Sequence, residues 1–441
     1  MTNGMTDGET VRVRPADLAL AGALAAAVNG FWRLLVPLAA PGCCDALQYV
    51  TLAADPGQAV PTPYAYRGLV PRLVHLLGGD PAATFHLVSL VLLAVTGPIV
   101  YALCRRLGAT HRLALAAMAA LLSARGWTYY LHSPYMPDPA AFLLLSLAFL
   151  VLLSSSRRLW LLVPVTVLLA GVRELFAGLA LPAYALLRRR PLDPKMAGLV
   201  GLLLLPAWLA YQWIVGHAPS TGVPALGRLS PHTVREIWDL RVLGIDAAGA
   251  RTATMWWESL AQTFAMSLGV WWVLALGAWR DGRIRALAWW LVPVFANLLF
   301  GGDWSRFALY AFPVVVPAGA LTLGRLEPVR RRALLVVVAL QAYTPLADVA
   351  AGRLTLNRPG PSMGLTLVLM AVTALLLWLP GSALHLAHGR RLDGRRLDRV
   401  EVAAGAGLDG GDDGALDHGR LGDAGAGPDV VGDQLVDRHR G

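Results

Sequence analysis

Long apolar runs separated by short charged segments dominate the chain from residue 17 to residue 380. The runs are about 15 to 25 residues long, and a helix of about 20 residues crosses a hydrocarbon layer about 30 Å thick. The pattern therefore predicts an all-α polytopic membrane protein with about 11–13 transmembrane or partly spanning helices. The predicted spans lie near residues 17–39, 85–104, 113–130, 139–153, 158–172, 174–187, 197–215, 258–278, 284–300, 306–323, 332–349 and 363–380.

Clusters of arginine occur in every second loop between these spans. Cytoplasmic loops carry an excess of Lys and Arg, so both termini are predicted to be cytoplasmic and the remaining loops, among them 40–84 and 216–257, to be extracytoplasmic. Lys195 is the only lysine, and Ala, Gly, Leu and Val are abundant, which indicates a GC-rich bacterial genome and hence a bacterial plasma membrane. The clusters are Arg105, Arg106 and Arg112; Arg157 and Arg158; Arg188–Arg190; Arg280, Arg283 and Arg285; and Arg330–Arg332.

The stretch 158–187 predicts a hairpin that does not cross the membrane fully. Arg173 and Glu174 divide it into halves of about 14 residues, each about 21 Å long as a helix. A charged tip inside a membrane must face protein or water rather than lipid. Because the two residues are neighbours in the chain, their side chains are predicted to point apart and to need separate partners.

Two outer loops contain further helical patterns. Residues 67–77 predict a helix that lies in the membrane interface and presents one apolar face. In the long loop, Ser230 and Pro231 predict the N-terminus of another helix. The apolar positions of the first helix are Leu69, Val70, Leu73, Val74 and Leu77.

The composition limits the class of protein and its partners. Only 15% of the 441 residues are charged and 56% are hydrophobic, whereas a soluble domain carries about 25% charged residues. The net charge of +10 follows from the cytoplasmic arginines, so nucleic acid is not an expected partner. The predicted organisation is a cytoplasmic segment 1–16, a membrane domain 17–388, and a tail 389–441 that lacks aromatic residues and is expected to be disordered.

Polar residues outside the arginine clusters collect at the predicted extracytoplasmic side. Arginines and carboxylates gathered at one membrane boundary favour a site for an anionic, membrane-borne ligand. Some of them also have simpler interpretations: Asp45 as a solvated acid or cap, Asp138 as a helix cap, Arg67 as a headgroup anchor. Asp303 and Arg306 can form a local ion pair with each other. The candidates are Asp45, Tyr49, Arg67, Asp138, Arg173, Glu174, Asp303 and Arg306.

Five segments in the region 17–350 resemble, in their order, the landmarks of bacterial glycosyltransferases of the GT-C superfamily: CCDALQYVTLA, AYRGLVPRL, SPYMPDPAAF, GVRELFAGLALP and GGDWSRFALYAFPVVVP. These are multi-spanning enzymes that use polyprenyl-phosphate-linked sugars, and their acidic residue in the first outer loop corresponds to Asp45. The resemblance implies a GT-C-like fold and transfer of a sugar to a cell-envelope glycan, lipid or protein. No DxD or ExD pair occurs in the body of the chain, so no divalent metal cofactor is expected.

Sugar transfer from a lipid phosphate needs one base, because the acceptor hydroxyl must lose a proton whereas the phosphate leaves as a stable anion. Glycosidases that hydrolyse need two carboxylates. Asp45 is therefore the predicted base of an inverting hexosyl- or pentosyltransferase, and Arg67, Arg173 and Arg306 are predicted to neutralise the donor phosphate. The groups predicted to orient these arginines or to bind sugar hydroxyls are Glu174, Asp303, Tyr49 and Asp138.

Two other classes of function stay open. A transporter or flippase of a lipid-linked envelope precursor would also use outer arginines, but it is expected to show an internal repeat and polar residues throughout the membrane depth. Such features are scarce in this sequence. In a structural or assembly protein with the same fold, Asp45→Asn is expected to leave the phenotype unchanged.

Overall fold

The computed structural model describes residues 13–42, 44–61, 64–154, 156–187, 194–221, 256–300, 304–352, 354 and 360–378. These residues form helices, and apart from one isolated bridge between Val60 and Ser220 they contain no β-structure. Five helical segments are long and apolar enough to cross a membrane: Pro15–Leu35, Pro81–Arg106, Val200–His217, Pro328–Ala350 and Pro361–Trp378. The described chain is therefore all-α, and its long helices have the length and composition of membrane spans.

Several predictions concern residues outside the described ranges. These are most of the N-terminal segment 1–16, the candidate Asp303, the helix near Ser230 with nearly all of loop 216–257, and the tail 389–441.

The helices of the first half are α1 (Pro15–Leu35), α2 (Cys44–Ala54), α3 (Leu69–Leu77), α4 (Pro81–Arg106), α5 (His111–Leu122), α6 (Arg125–His132), α7 (Asp138–Leu152), α8 (Leu162–Ala170), α9 (Ala180–Leu187) and α10 (Pro194–His217). Those of the second half are α11 (Trp256–Ser267), α12 (Val270–Leu276), α13 (Gly282–Leu287), α14 (Leu291–Phe300), α15 (Trp304–Leu309), α16 (Phe312–Arg325), α17 (Pro328–Tyr343), α18 (Pro345–Ala350) and α19 (Pro361–Trp378). Short 3₁₀ helices cover Tyr64–Arg67, Ser156–Leu161, Glu174–Leu179 and Ala288–Trp290.

Several predicted spans are divided in the structure, and the break between α11 and α12 shows why. Gly269 has a φ of 53° there, a conformation that favours glycine. Backbone groups released by the break are satisfied by Gln341, whose Oε1 accepts from Val270 N at 2.7 Å and whose Nε2 donates to Leu268 O at 3.0 Å. Unpaired backbone groups are costly inside a membrane, so a side chain from a distant helix makes this interruption possible.

The predicted hairpin is present. Its limbs are α8 and the 3₁₀ helix Glu174–Leu179 continued by α9, and Arg173 and Glu174 lie at the tip. With the 3₁₀ turns that adjoin α8 and α9, the limbs run from Arg158 to Ala170 and from Glu174 to Leu186, and each spans about 20 Å at 1.5 Å per residue. The hairpin therefore inserts beside α7 and α10, on which α8 packs, without the length of a full span.

The predicted helix of loop 40–84 is present as α3, and the five apolar positions named for it lie along one face of the helix, as predicted. Val70 and Val74 are buried, whereas Leu73 and Leu77 are exposed. One side of α3 packs against α2 and α4, so its apolar residues divide between the protein and the surroundings.

The centre of the fold is α16, in which every residue from Phe312 to Leu323 is buried. A helix that is apolar all round belongs inside a bundle. Its neighbours include α4, α5 and α12, while α4 also packs on α1 and α7. This arrangement brings the start of α7 close to the segment that precedes α16.

Candidate functional site

The candidate site is built around a contact between two predicted site residues that are far apart in sequence. Arg306 on α15 donates from Nη1 to Oδ2 of Asp45, in the first turn of α2, at 2.9 Å. Tyr64, in the 3₁₀ helix before α3, donates to the other oxygen of Asp45 at 2.6 Å. Asp45 is thus held by two elements, and the interpretation of it as a freely solvated loop acid was wrong.

A second carboxylate lies on the other side of Arg306. Oδ1 of Asp138 accepts from Nη2 of Arg173 at 2.7 Å and from the hydroxyl of Tyr310 at 2.5 Å, and lies 3.7 Å from Nε of Arg306. Pro137 occupies the N-cap position of α7 and makes no side-chain cap. The carboxylate of Asp138 is fully buried among arginines and Tyr310. The interpretation of Asp138 as a helix cap was therefore wrong.

The third pair joins the 3₁₀ helix before α3 to the hairpin tip. Arg67 donates from Nε and Nη2 to the two carboxylate oxygens of Glu174, at 3.2 and 3.1 Å. A hydrogen bond of 3.2 Å from Leu69 N to Gly171 O fixes the two segments beside each other. The prediction that Arg173 and Glu174 need separate partners is confirmed, because the former binds Asp138 and the latter binds Arg67.

Charges in this cluster balance. Three arginines, Arg67, Arg173 and Arg306, face three carboxylates, and each arginine has an ion-pair partner within 3.1 Å. Within the part of the chain that the structure describes, no group of three His, Cys, Asp or Glu side chains could hold a metal ion. The cluster is therefore a set of alternating charges, in which arginine supplies the cations.

The surroundings of Asp45 keep it ionised. Burial by itself raises the pKa of the Asp45 carboxyl, but the charge of Arg306 and the hydrogen bond from Tyr64 lower it by more, so the pKa lies below its usual value of 3.8. Burial and the bond to Asp45 together raise the pKa of the Tyr64 hydroxyl. At neutral pH the tyrosine is therefore the donor and the carboxylate only accepts.

Tyr49, also predicted as a site residue, lies one turn after Asp45 on α2. It is fully buried, and its ring meets that of Tyr64 edge to face with centroids 5.5 Å apart. Tyr49 therefore packs on the tyrosine that donates to Asp45, and its hydroxyl also lies near the charge of Arg67.

Sequence reasoning missed two tyrosines that bind the carboxylates, Tyr64 and Tyr310. Each has a positional signal: Tyr64 precedes Arg67 by three residues, and Tyr310 follows Arg306 by four. These spacings place side chains on the same side of a helical turn. Neither is conspicuous in the sequence, because tyrosine is common at membrane interfaces without a specific role.

A second buried ion pair, between Arg125 and Asp348, was also missed. Arg125 begins α6, and Asp348 on α18 is fully buried. Asp348 in turn accepts from N and Oγ of Ser362, at the start of α19, at 3.0 and 2.5 Å. The pair fastens three helix ends to one another, which is a structural role.

The described residues define an all-α protein with helices of membrane-spanning length and a buried, charge-balanced cluster of arginines and carboxylates. Comparison of the chain with protein-family models, with curated proteins and with solved structures returned no match.

Proposed function

We propose that this cluster transfers a sugar from a polyprenyl-phosphate donor to a hydroxyl of a cell-envelope acceptor, at the extracytoplasmic side of a bacterial plasma membrane. The observation that supports it most is the contact between Asp45 and Arg306, because it joins a partly exposed carboxylate to a group of arginines. A base and a phosphate-binding cation then lie within one site, as transfer from a lipid phosphate requires. The resemblance to GT-C glycosyltransferases points to the same activity.

The proposed reaction is a single displacement. The acceptor oxygen attacks the anomeric carbon as Asp45 takes the hydroxyl proton, and the bond from that carbon to the phosphate oxygen breaks. The bonding electrons stay on the phosphate, which leaves as an anion stabilised by arginine. Attack opposite the leaving group inverts the configuration at the anomeric carbon.

The arginines take different parts in this proposal. Arg67 and Arg306 bind the donor phosphate, since the carboxylates that hold them are partly exposed. Arg173 is buried against Asp138 and contributes its charge from behind the site. Asp138 and Tyr310 act as positioning residues, because they hold Arg173 beside Arg306.

The test is transfer of a radiolabelled sugar from a polyprenyl-phosphate donor by the full-length protein in reconstituted vesicles. Asp45→Asn should lower the rate about 10²- to 10⁴-fold, the usual contribution of a general base. Asp55→Asn is the matched control, since Asp55 lies exposed beyond the end of α2 and its carboxylate accepts only from Gly57 N among the described contacts. Full transfer by the Asp45 variant would remove Asp45 from the proposed role, and movement of the donor between leaflets without transfer would favour a flippase.

A further inference from the structure

The three ion pairs of the cluster differ in their access to solvent. The side chains of Arg173 and Asp138 are 2% and 0% exposed, and those of Arg306 and Asp45 are 6% and 21% exposed. Glu174, by contrast, is 35% exposed and its partner Arg67 is 11% exposed. Glu174 is therefore the carboxylate of the cluster that can leave its arginine with the smallest loss of packing.

The number of contacts points the same way. Asp138 is held by Arg173 and Tyr310, and Asp45 is held by Arg306 and Tyr64. Among the described residues, Arg67 is the one side chain to which Glu174 hydrogen-bonds. Breaking that one pair removes the side-chain hydrogen bonds of Glu174, and the charge of Arg173 is then the attraction that still acts on it.

The geometry of the pair matches that of a phosphate complex. Arg67 presents Nε and Nη2 to two oxygens at 3.2 and 3.1 Å. Arginine uses the same two-pronged arrangement for carboxylates and for phosphates. The oxygens of Glu174 thus occupy the positions on Arg67 that two phosphate oxygens would take.

From these observations we infer that Glu174 is an internal substitute for the donor phosphate, bound to Arg67 in the resting site and displaced when a phosphate binds. The identity of the ligand rests on the proposed function. The displacement follows from charge, because the resting cluster of three arginines and three carboxylates is neutral and a phosphate beside an unmoved Glu174 would face a like charge. When Glu174 moves outward, Arg67 becomes free to bind the phosphate, and the net charge of the site stays balanced.

Binding of farnesyl phosphate to the full-length protein in nanodiscs of zwitterionic lipid, measured by titration calorimetry, tests this inference. Glu174→Gln removes the competing charge while keeping the shape, so its Kd should fall about tenfold. Arg67→Gln should raise Kd about tenfold or more, because the bidentate cation is lost. Asp55→Asn, which removes an equal charge outside the cluster, should leave Kd within about twofold, since exposed charges are screened.

Thermal unfolding of each variant in the same nanodiscs identifies those that fold. Where Glu174→Gln does not fold, Glu174→Asp is measured instead, and its shorter reach should lower Kd about threefold through a weakened hold on Arg67. A folded Glu174 variant that binds no more tightly than the wild type overturns the inference, as does a protein in which neither form binds the probe.

The inference and the proposed function can fail separately. If Glu174→Gln binds the probe more tightly but the protein transfers no sugar, the inference about Glu174 holds and the proposed glycosyltransferase activity is refuted. If the wild type transfers sugar but the Kd of the Glu174 variant is unchanged, only the inference about Glu174 is refuted.

Discussion

Arg173 and Asp138 form an ion pair with an N–O distance of 2.7 Å. Because the pair is buried, loss of either partner is expected to destabilise the fold far more than in an exposed pair of the same distance. Both side chains are almost fully buried, so Asp138→Asn leaves the charge of Arg173 uncompensated. Removing one partner of a buried ion pair costs about 3–5 kcal/mol. The hydrogen bond from Tyr310 survives in this variant because an Asn oxygen can still accept it.

The chain contains a control pair of the same length in a different environment. Nη2 of Arg325 lies 2.7 Å from Oδ2 of Asp281, but the arginine is 47% exposed. Exposed pairs contribute about 0–1 kcal/mol because solvent screens them. The two pairs therefore separate the effect of burial from the effect of distance.

The measurement is a double-mutant cycle on the free energy of unfolding in lipid–detergent micelles. Asp138→Asn, Arg173→Gln and their combination form one cycle, and Asp281→Asn, Arg325→Gln and their combination form the other. The buried pair should show a coupling of several kcal/mol and the control less than about 1 kcal/mol. Equal couplings in the two cycles would refute the argument that burial sets the strength of the cluster.

Two further results are expected. Tyr64→Phe removes a hydrogen bond that lowers the pKa of Asp45, so the pH below which the proposed transfer is lost should rise from its wild-type position under 3.8. A pH–rate profile checks this, and an acid limb that stays in place or moves down would contradict the role of Tyr64. Asp348→Asn should destabilise the fold by about 3–5 kcal/mol because Arg125 loses its buried partner. Ser362→Ala, which removes one hydrogen bond, should cost about 1 kcal/mol in the same unfolding measurement.

Most of the candidate site was predictable because charged residues are rare in this chain. Among apolar runs of spanning length, an acid such as Asp45 or an arginine such as Arg173 outside the arginine clusters is conspicuous. Each candidate within the described residues lies in or against one cluster. Which partner each charge takes was not predictable, because Arg306 and Asp45 are 261 positions apart.

The breaks in the predicted spans were not predictable either, because they also depend on contacts between residues far apart in the chain. Hydropathy predicts where an apolar run begins and ends, and the residues on both sides of Gly269 are apolar. Its interruption depends on Gln341, which satisfies the released backbone groups from another helix. A one-dimensional pattern contains no information about such a contact.

The amino-acid sequence alone sufficed for the helical class, the apolar helices of spanning length, the short hairpin and the list of charged candidates. All of these follow from the cost of placing polar groups in hydrocarbon, which acts on every residue independently of its neighbours in space. Only the tertiary structure decided that Asp138 binds Arg173, that Glu174 holds Arg67, and that tyrosine completes the site. Ion pairs and hydrogen bonds form over about 3 Å, and packing of distant helices determines which groups come that close.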